Sequence, residues 1–523
     1  MDIGKISEKY IPRNYAPEIE GNVVSFAVPI DGISAVCRKL FAEDGLQFKT
    51  MTATDDRREK GCFRNLYVFG VPEENIFLVP YISLKDTQEF PSVTDIIHSA
   101  SGYERRIKTF FGLEPVGHPA PQLILLHENW PAGIFPLRKD FAWNVRPSGC
   151  SEPYKFQQVE GEGIYEIPVG PVHAGIIEPG HFRFSMAGEE IILLEPKLGY
   201  KHKGSEKLFE TLPLNEKLRL SERISGDTSF THSLAFCQAV EKLADIKVPE
   251  RAEYLRVIFS ELERLANHFN DIGFIMLDTG YSFGGSNGAR LRERIMQWHE
   301  QLTGSRYLRG VNVVGGVTKD IYPDMSEKLL SDLKKIQKDF SEVIEIAEDS
   351  SSVFNRLQST GKLDVQVALD HGVMGVAGRA VGLAHDARIE FPYAAYGKIP
   401  FEIPLEAEGD VRARFYVRVK EVYASIGIIE KALAGLPAEN KLQADGEIKL
   451  KKNSIAISAA EGWRGEIIYL IMTDAEGNIS RVDVRDPSFV NWTVVGHAGK
   501  GNIVPDFPLI NKSFNLSYSG NDL

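Results

Sequence analysis

Arg223-Ile224-Ser225-Gly226-Asp227-Thr228-Ser229-Phe230-Thr231-His232 is the stretch from which the rest of this chain is read. It gathers hydroxyls, a carboxylate and an imidazole around one glycine. An apolar helical run, Phe230 to Leu243, is expected to start inside it. Far downstream, Asp486-Pro487-Ser488-Phe489-Val490-Asn491 sets another carboxylate ahead of a hydroxyl and an amide.

Between these stretches the pattern alternates sheet and helix. Gly163 to His173 and Glu178 to Phe184 read as strands. Alternation from His181 to Leu194 predicts an antiparallel hairpin turning near Gly188. Ser205 is a candidate N-cap. Pro249 to His268 opens with Pro at N1 and an acid in the first turn, both helix-start signals. Leu255, Ile258, Leu262 and Leu265 share one face of that helix, so they are core. Long amphipathic helices are expected over Met325–Leu357, and another from Glu408 to about Leu433. Asp370 to Gly382 is a glycine-punctuated turn, and its spacing fails the dinucleotide fingerprint G-x-G-x-x-G. Ser454–Ala459 and Glu466–Met472 form a hairpin pair around Glu461-Gly462-Trp463-Arg464-Gly465-Glu466. The turn-rich tail from Gly501 to Leu516 is expected to wrap and seal a cavity.

Upstream, the first ~145 residues read as a small α+β unit. Strands are expected at Val23–Val28, Gly61–Val71 and Ile76–Ile82, with a short helix at Gly32–Phe41. A second helix with a charged face is expected over Thr94–Arg106. Glu104, Arg105, Arg138 and Asp140 are either a solvated ion-pair surface or a docking face for neighbouring subunits. Asn144 to Pro153 is rich in Pro, Gly and Ser and reads as a linker. The fold class is therefore α+β, with domains at 1–147 and 153–523. The second is a helical bundle with antiparallel β-sheets.

Composition narrows the class. A chain of 523 residues exceeds one ordinary core. Net charge −12 argues against nucleic acid as a partner. No apolar run reaches the ~18–20 residues of a membrane span. The opening Met1-Asp2-Ile3-Gly4-Lys5 lacks a signal-peptide core. Cys37, Cys62, Cys150 and Cys237 are scattered, without a C-x-x-C pair, so neither a disulfide framework nor a cysteine-rich metal site is expected.

With Cys in place of Ser225 and Thr228, the opening stretch becomes R-x-C-G-x-C-x-x-x-H. That motif is similar to the first ligand motif of nickel–iron hydrogenase large subunits. Asp486 to Asn491 resembles the second, D-P-C-x-x-C, with Ser488 and Asn491 at the cysteine positions. The N-terminal segments Phe110-Phe111-Gly112, His118-Pro119 and Pro136-Leu137-Arg138-Lys139-Asp140 resemble the 30-kilodalton subunit of respiratory complex I. The remainder resembles the 49-kilodalton subunit and, more closely, the large subunit of energy-converting, formate hydrogenlyase-type hydrogenases, which carry the same fusion.

The resemblance implies a subunit whose four soft ligands are replaced, so hydrogenase activity and a metal bound by this chain are not expected. It implies a neighbouring small subunit that bears a [4Fe–4S] cluster, antiporter-like and other integral membrane subunits, and peripheral placement on the cytoplasmic face of the cell membrane. Asp227, His232, Arg464 and Asp486 are the candidate catalytic residues. His173, Glu178, Ser225, Thr228, Ser488 and Asn491 are candidates for binding an electron acceptor, for which a quinone is one identity. Arg256 and His268 are candidates for residues near the partner's cluster. The function implied is electron transfer coupled to ion translocation. The alternative is a non-catalytic scaffold that transmits conformational change. A third reading, direct NAD chemistry, finds no nucleotide fingerprint.

Overall fold

The computed structural model describes residues 9–149, 154–173 and 177–523. Part of the expected linker, 150–153, and Cys150 with it, lies outside them. The chain is a mixed α+β structure, as the periodicity requires.

The N-terminal region is built on a five-stranded sheet. Its strand order is Pro17–Glu20, Val23–Ala27, Ile76–Leu84, Cys62–Val71, Gln47–Asp56. Val23–Ala27 pairs parallel with Ile76–Leu84, and the other pairs are antiparallel. The ten-residue strand Gln47–Asp56 was not anticipated. Its threonines alternate with Lys49, Met51 and Ala53 and no run of large apolar residues marks it, yet it is buried along most of its length. The charged helix is displaced: it spans Ala100–Phe111, and 94–99 is turn. Nor does Glu104 belong to a surface. It is fully buried and accepts hydrogen bonds from Ser92 Oγ, Val93 N and Thr94 Oγ1. Those donors of the 92–94 turn are what draw the carboxylate inward.

The second region carries long helices at Ser229–Ala244, Glu250–Asp278, Ser282–Thr303, Pro323–Glu348 and Val411–Ala434. The 205–211 helix is entered through Gly204 (φ +69°), so Ser205 is its first residue, not its cap. The helix Ser282–Thr303 escaped the sequence reading because Gly284, Gly285 and Gly288 interrupt its pattern. These glycines are a packing device. A Cβ on Gly288 would lie 2.5 Å from Gly273 Cα and 2.7 Å from Phe269 O, so the two helices touch backbone to backbone.

Two antiparallel three-stranded sheets flank the bundle. One joins Ile164–Val169, His181–Ala187 and Glu190–Lys197; the other joins Ile455–Gly462, Gly465–Thr473 and Ile479–Arg485. Apolar residues of this last sheet, Ile455, Ile457, Ile468 and Leu470, pack against Val23, Val68 and Val79 of the N-terminal sheet. Phe489 and Val490 join the N-terminal core. Lys49–Glu466 and Arg106–Asp483, at 2.8 and 2.6 Å, are buried ion pairs across the same seam.

Candidate functional site

Three turns and the chain's last helix converge. Ser225 to Thr228 form the turn that starts the 229–244 helix, closed by Thr228 N donating to Ser225 O at 3.1 Å. Asp486 caps the short helix Pro487–Asn491, accepting from Ser488 N at 2.7 Å. Trp463 and Arg464 form the two-residue turn between Ile455–Gly462 and Gly465–Thr473. That turn presses on Gly375 (φ +63°), where a Cβ would come within 1.9 Å of Arg464 O. Only glycine admits so close an approach.

The last helix, Tyr518–Asp522, supplies the bridge. Ser225 and Ser517 share a hydroxyl–hydroxyl hydrogen bond of 2.8 Å, and Ser517 N donates to Ser488 Oγ at 3.0 Å. The two sequence motifs thus meet through one residue of the tail.

Arg464 lies against them. Its guanidinium holds both Asp227 oxygens, at 2.7 and 2.8 Å, and its Nε donates to Asn515 O at 2.5 Å. It stacks on Trp463 with 3.8 Å to the ring centroid. Nη1 is also 3.3 Å from Thr228 Oγ1 and 3.4 Å from Ser225 Oγ. Burial pushes the Asp227 carboxyl up, but the Arg464 charge and the Ser225 and Thr228 hydroxyls outweigh it and hold it at about 2. Asp227 still keeps 38% of its side chain open, whereas Arg464 keeps 6%. The opening leads to a small cleft lined by Gly226, Asp227, Glu263, Asn267, His299 and Arg306.

Behind this pair sits a second carboxylate. Asp486 Oδ2 is 3.0 Å from His232 Nε2, and His232 Nδ1 is 3.1 Å from Tyr469 OH. All three side chains are buried. Burial alone would raise the Asp486 carboxyl; the His232 contact and the Ser488 side chain hold it below the usual range.

The other candidates lie further out. Asn491 turns away and clamps the Met374 backbone, donating to its O at 3.0 Å and accepting from its N at 3.1 Å. Glu178 accepts from Ser519 N at 2.9 Å, on the outer side of the last helix. His173 Nε2 contacts Gly180 O at 2.8 Å within the hairpin region. Arg256 is paired with Glu241 at 2.6 Å in the core. His268 meets Glu421 at 2.6 Å and stands edge-on to Trp463. Sequence reasoning missed Glu263, Trp463, Tyr469, Asn515 and Ser517. Trp463 had a signal, its adjacency to Arg464. Ser517 had none, being one serine in a polar tail.

Among the described residues no group of three or more His, Cys, Asp or Glu is arranged to hold a metal ion. Among them, too, no helix is long and apolar enough to cross a membrane.

This architecture of two fused regions defines a complex I-related chain. Residues 26–147 match the family of the 30-kilodalton subunit of respiratory-chain NADH dehydrogenase, and residues 278–522 that of its 49-kilodalton subunit. Formate hydrogenlyase subunit 5 of Escherichia coli is 32% identical over 95% of this chain and 89% of its own length. Hydrogenase-4 component G of the same organism is 33% identical over 95% and 88%. The fused C/D polypeptide of an NADH-quinone oxidoreductase from Phocaeicola vulgatus is 31% identical over 76% and 80%. Among solved structures, a chain of the membrane-bound sulfane sulfur reductase, an archaeal respiratory membrane complex, superposes with TM-score 0.65 and 27% identity, covering 69% of this chain and 99% of that one. The chain belongs to the family of fused 30- and 49-kilodalton-type subunits shared by hydrogenases and NADH-quinone oxidoreductases.

Proposed function

We propose that this chain is a peripheral subunit of a respiratory membrane complex, on the cytoplasmic face of the cell membrane, alongside antiporter-like and other integral membrane subunits. It receives electrons from a neighbouring subunit that bears a [4Fe–4S] cluster and passes them to an acceptor at the Arg464–Asp227 pocket, with coupling to ion translocation. The observation that carries this reading is a permanently charged, nearly buried guanidinium beside a partly open carboxylate. A fixed positive charge in a low-dielectric pocket stabilises an acceptor that becomes anionic on reduction. A quinone and sulfane sulfur, the acceptors named for two of the relatives, both do so. The buried Asp486–His232–Tyr469 chain offers groups that can hold and hand on a proton behind the pocket.

A nickel–iron centre does not fit these residues. Ser225, Thr228, Ser488 and Asn491 offer hydroxyls and an amide in place of thiolates. Their polar atoms are already engaged with Ser517, Asp227 and Met374. That same closure favours the second reading, a scaffold that only transmits conformational change.

Arg464→Leu in the assembled complex separates the two. The partner's cluster should still be reduced by the donor, as seen by electron paramagnetic resonance, while reduction of added quinone or polysulfide is lost. Full turnover in that variant would sink the electron-transfer reading.

A further inference from the structure

A buried ionic cluster lies next to the site, with His268 edge-on to Trp463 and Arg264 hydrogen-bonded to the Gly462 carbonyl. Three arginines build its positive half. Arg264 pairs with Glu261 at 3.2 Å, Arg388 with Glu261 at 2.9 Å and Asp386 at 2.7 Å, and Arg379 with Glu421 at 2.8 Å and Glu461 at 2.9 Å. Every one of these side chains is 2% exposed or less. Three guanidiniums therefore face four carboxylates. Arginine cannot lose its proton in a protein, so the count is one negative charge in excess. An uncompensated charge in so dry a place is costly, and the group neutralises instead.

His268 is the other titratable member, 2.6 Å from Glu421. Its geometry argues against carrying the extra proton. Nδ1 is buried with no hydrogen-bond partner among the described residues, so an imidazolium would bury an N–H with nothing to donate to. A neutral ring donating from Nε2 to Glu421 leaves only a bare lone pair there.

The carboxylates are not equally supported. Glu261 accepts from two arginines, Tyr396 OH and Ser425 Oγ. Asp386 accepts from the Arg388 backbone and side chain and from Arg379. Glu421 pairs with Arg379 at 2.8 Å and with Arg264 at 3.7 Å, and its one hydrogen bond is to His268. Glu461 has one arginine contact, Arg379, and one backbone amide, Ala387 N.

We propose that this cluster is a proton-binding site holding one exchangeable proton on Glu461, so that it is electrically neutral when loaded. Burial, and then the neighbouring Asp386, push the Glu461 carboxyl up to about 7, against the pull of Arg379, Arg264 and Arg388. Tyr393, whose OH contacts Glu461 N, is the remaining titratable group against it, and burial keeps that phenol neutral. The site is thus poised to load and unload near neutral pH. Glu461 precedes Trp463 and Arg464 on the same strand and turn, and Arg264 binds the carbonyls of Glu461 and Gly462. Loading would change the field at the Arg464 turn through contacts already made. The inference does not depend on electron transfer at the pocket.

Infrared difference spectroscopy of the full-length protein, titrated from acid through neutral pH in H2O and D2O, tests this. A component of the protonated-carboxyl band that shifts in D2O should disappear with a midpoint near 7 and be missing in Glu461→Gln. Glu104 and Glu263 are also buried and also raised to about 7, so Glu104→Gln and Glu263→Gln identify their contributions. Should Glu461→Gln fail to fold, Glu461→Asp retains the carboxyl and should move the band's position and midpoint. A spectrum unchanged by either Glu461 substitution overturns the proposal. So does a wild-type spectrum without a protonated-carboxyl band at pH 6.

Discussion

Arg464 and Asp227, 237 positions apart in the chain, form a two-point ion pair with one member buried and the other partly open. The arrangement sets the charge of the pocket: the guanidinium is neutralised at rest, yet its partner faces the cleft through which a ligand would come.

Removing the carboxylate alone therefore strands a buried cation. Asp227→Asn is expected to cost about 1.5–3 kcal/mol, as for a lost charged hydrogen bond. The lower end applies, because solvent reaches Asp227 and screens the pair. The double variant Asp227→Asn/Arg464→Leu should recover part of that loss, read as a double-mutant cycle in denaturant unfolding. Additive losses would show that the pair is not coupled.

The same pair predicts an acid limb. Asp227 titrates at about 2 in the folded chain against an ordinary 3.8. A depressed carboxyl stabilises the fold above its unfolded value and loses that contribution as pH falls toward the folded one. Thermal stability should thus decline between pH ~4 and ~2 more steeply in the native protein than in Asp227→Asn. Parallel curves would contradict the assignment.

Ser517 ties the two motifs together and caps the last helix through Gly520 N at 2.9 Å. Ser517→Ala removes that cap and the Ser225 hydrogen bond but leaves the backbone contact to Ser488. A loss of about 1–2 kcal/mol is expected, with faster hydrogen exchange in residues 518–522. Unchanged exchange there would show that other contacts hold the tail, such as Glu178 to Ser519 N and Asp522 to Gly199 N and Lys201 N.

Metal content gives a direct check on the pocket. Elemental analysis of the purified complex, after subtraction of iron assigned to its clusters, should find no stoichiometric nickel or iron on this polypeptide. About one nickel per chain would overturn the donor-set argument.

At the helix contact, Gly288→Ala forces a methyl into the Gly273 backbone. Overpacking of this kind costs about 1–3 kcal/mol, measurable as a lowered midpoint of urea unfolding without a change in slope. Gly285→Ala meets Leu277 Cβ at 3.0 Å, against 2.5 Å to the Gly273 backbone at position 288, and should cost less.

Much of this was legible from residues alone. Pattern placed helices over 230–243, 249–268, 325–357 and 408–433 and hairpins over 181–194 and 454–472, each overlapping an observed element though the second helix runs on to Asp278, because burying a face imposes a repeat of 3.6 or 2. It failed where polar or small residues occupy buried positions, as the threonines of Gln47–Asp56 and the glycines of the 282–303 helix do. Glu104 was misplaced because a charge reads as surface until its partners are known.

The sequence by itself determined the class of the fold, most of its long helices and the residue types at two distant motifs, since these depend on local pattern and composition. Tertiary structure alone decided that Ser517 joins those motifs, that Arg464 takes Asp227 and not Asp486, and that Glu461 meets one arginine where the other three buried carboxylates of its cluster meet two. Each of those outcomes is a contact between segments remote in the chain. Which donor reaches which acceptor there is settled by packing geometry, to which residue spacing carries no key.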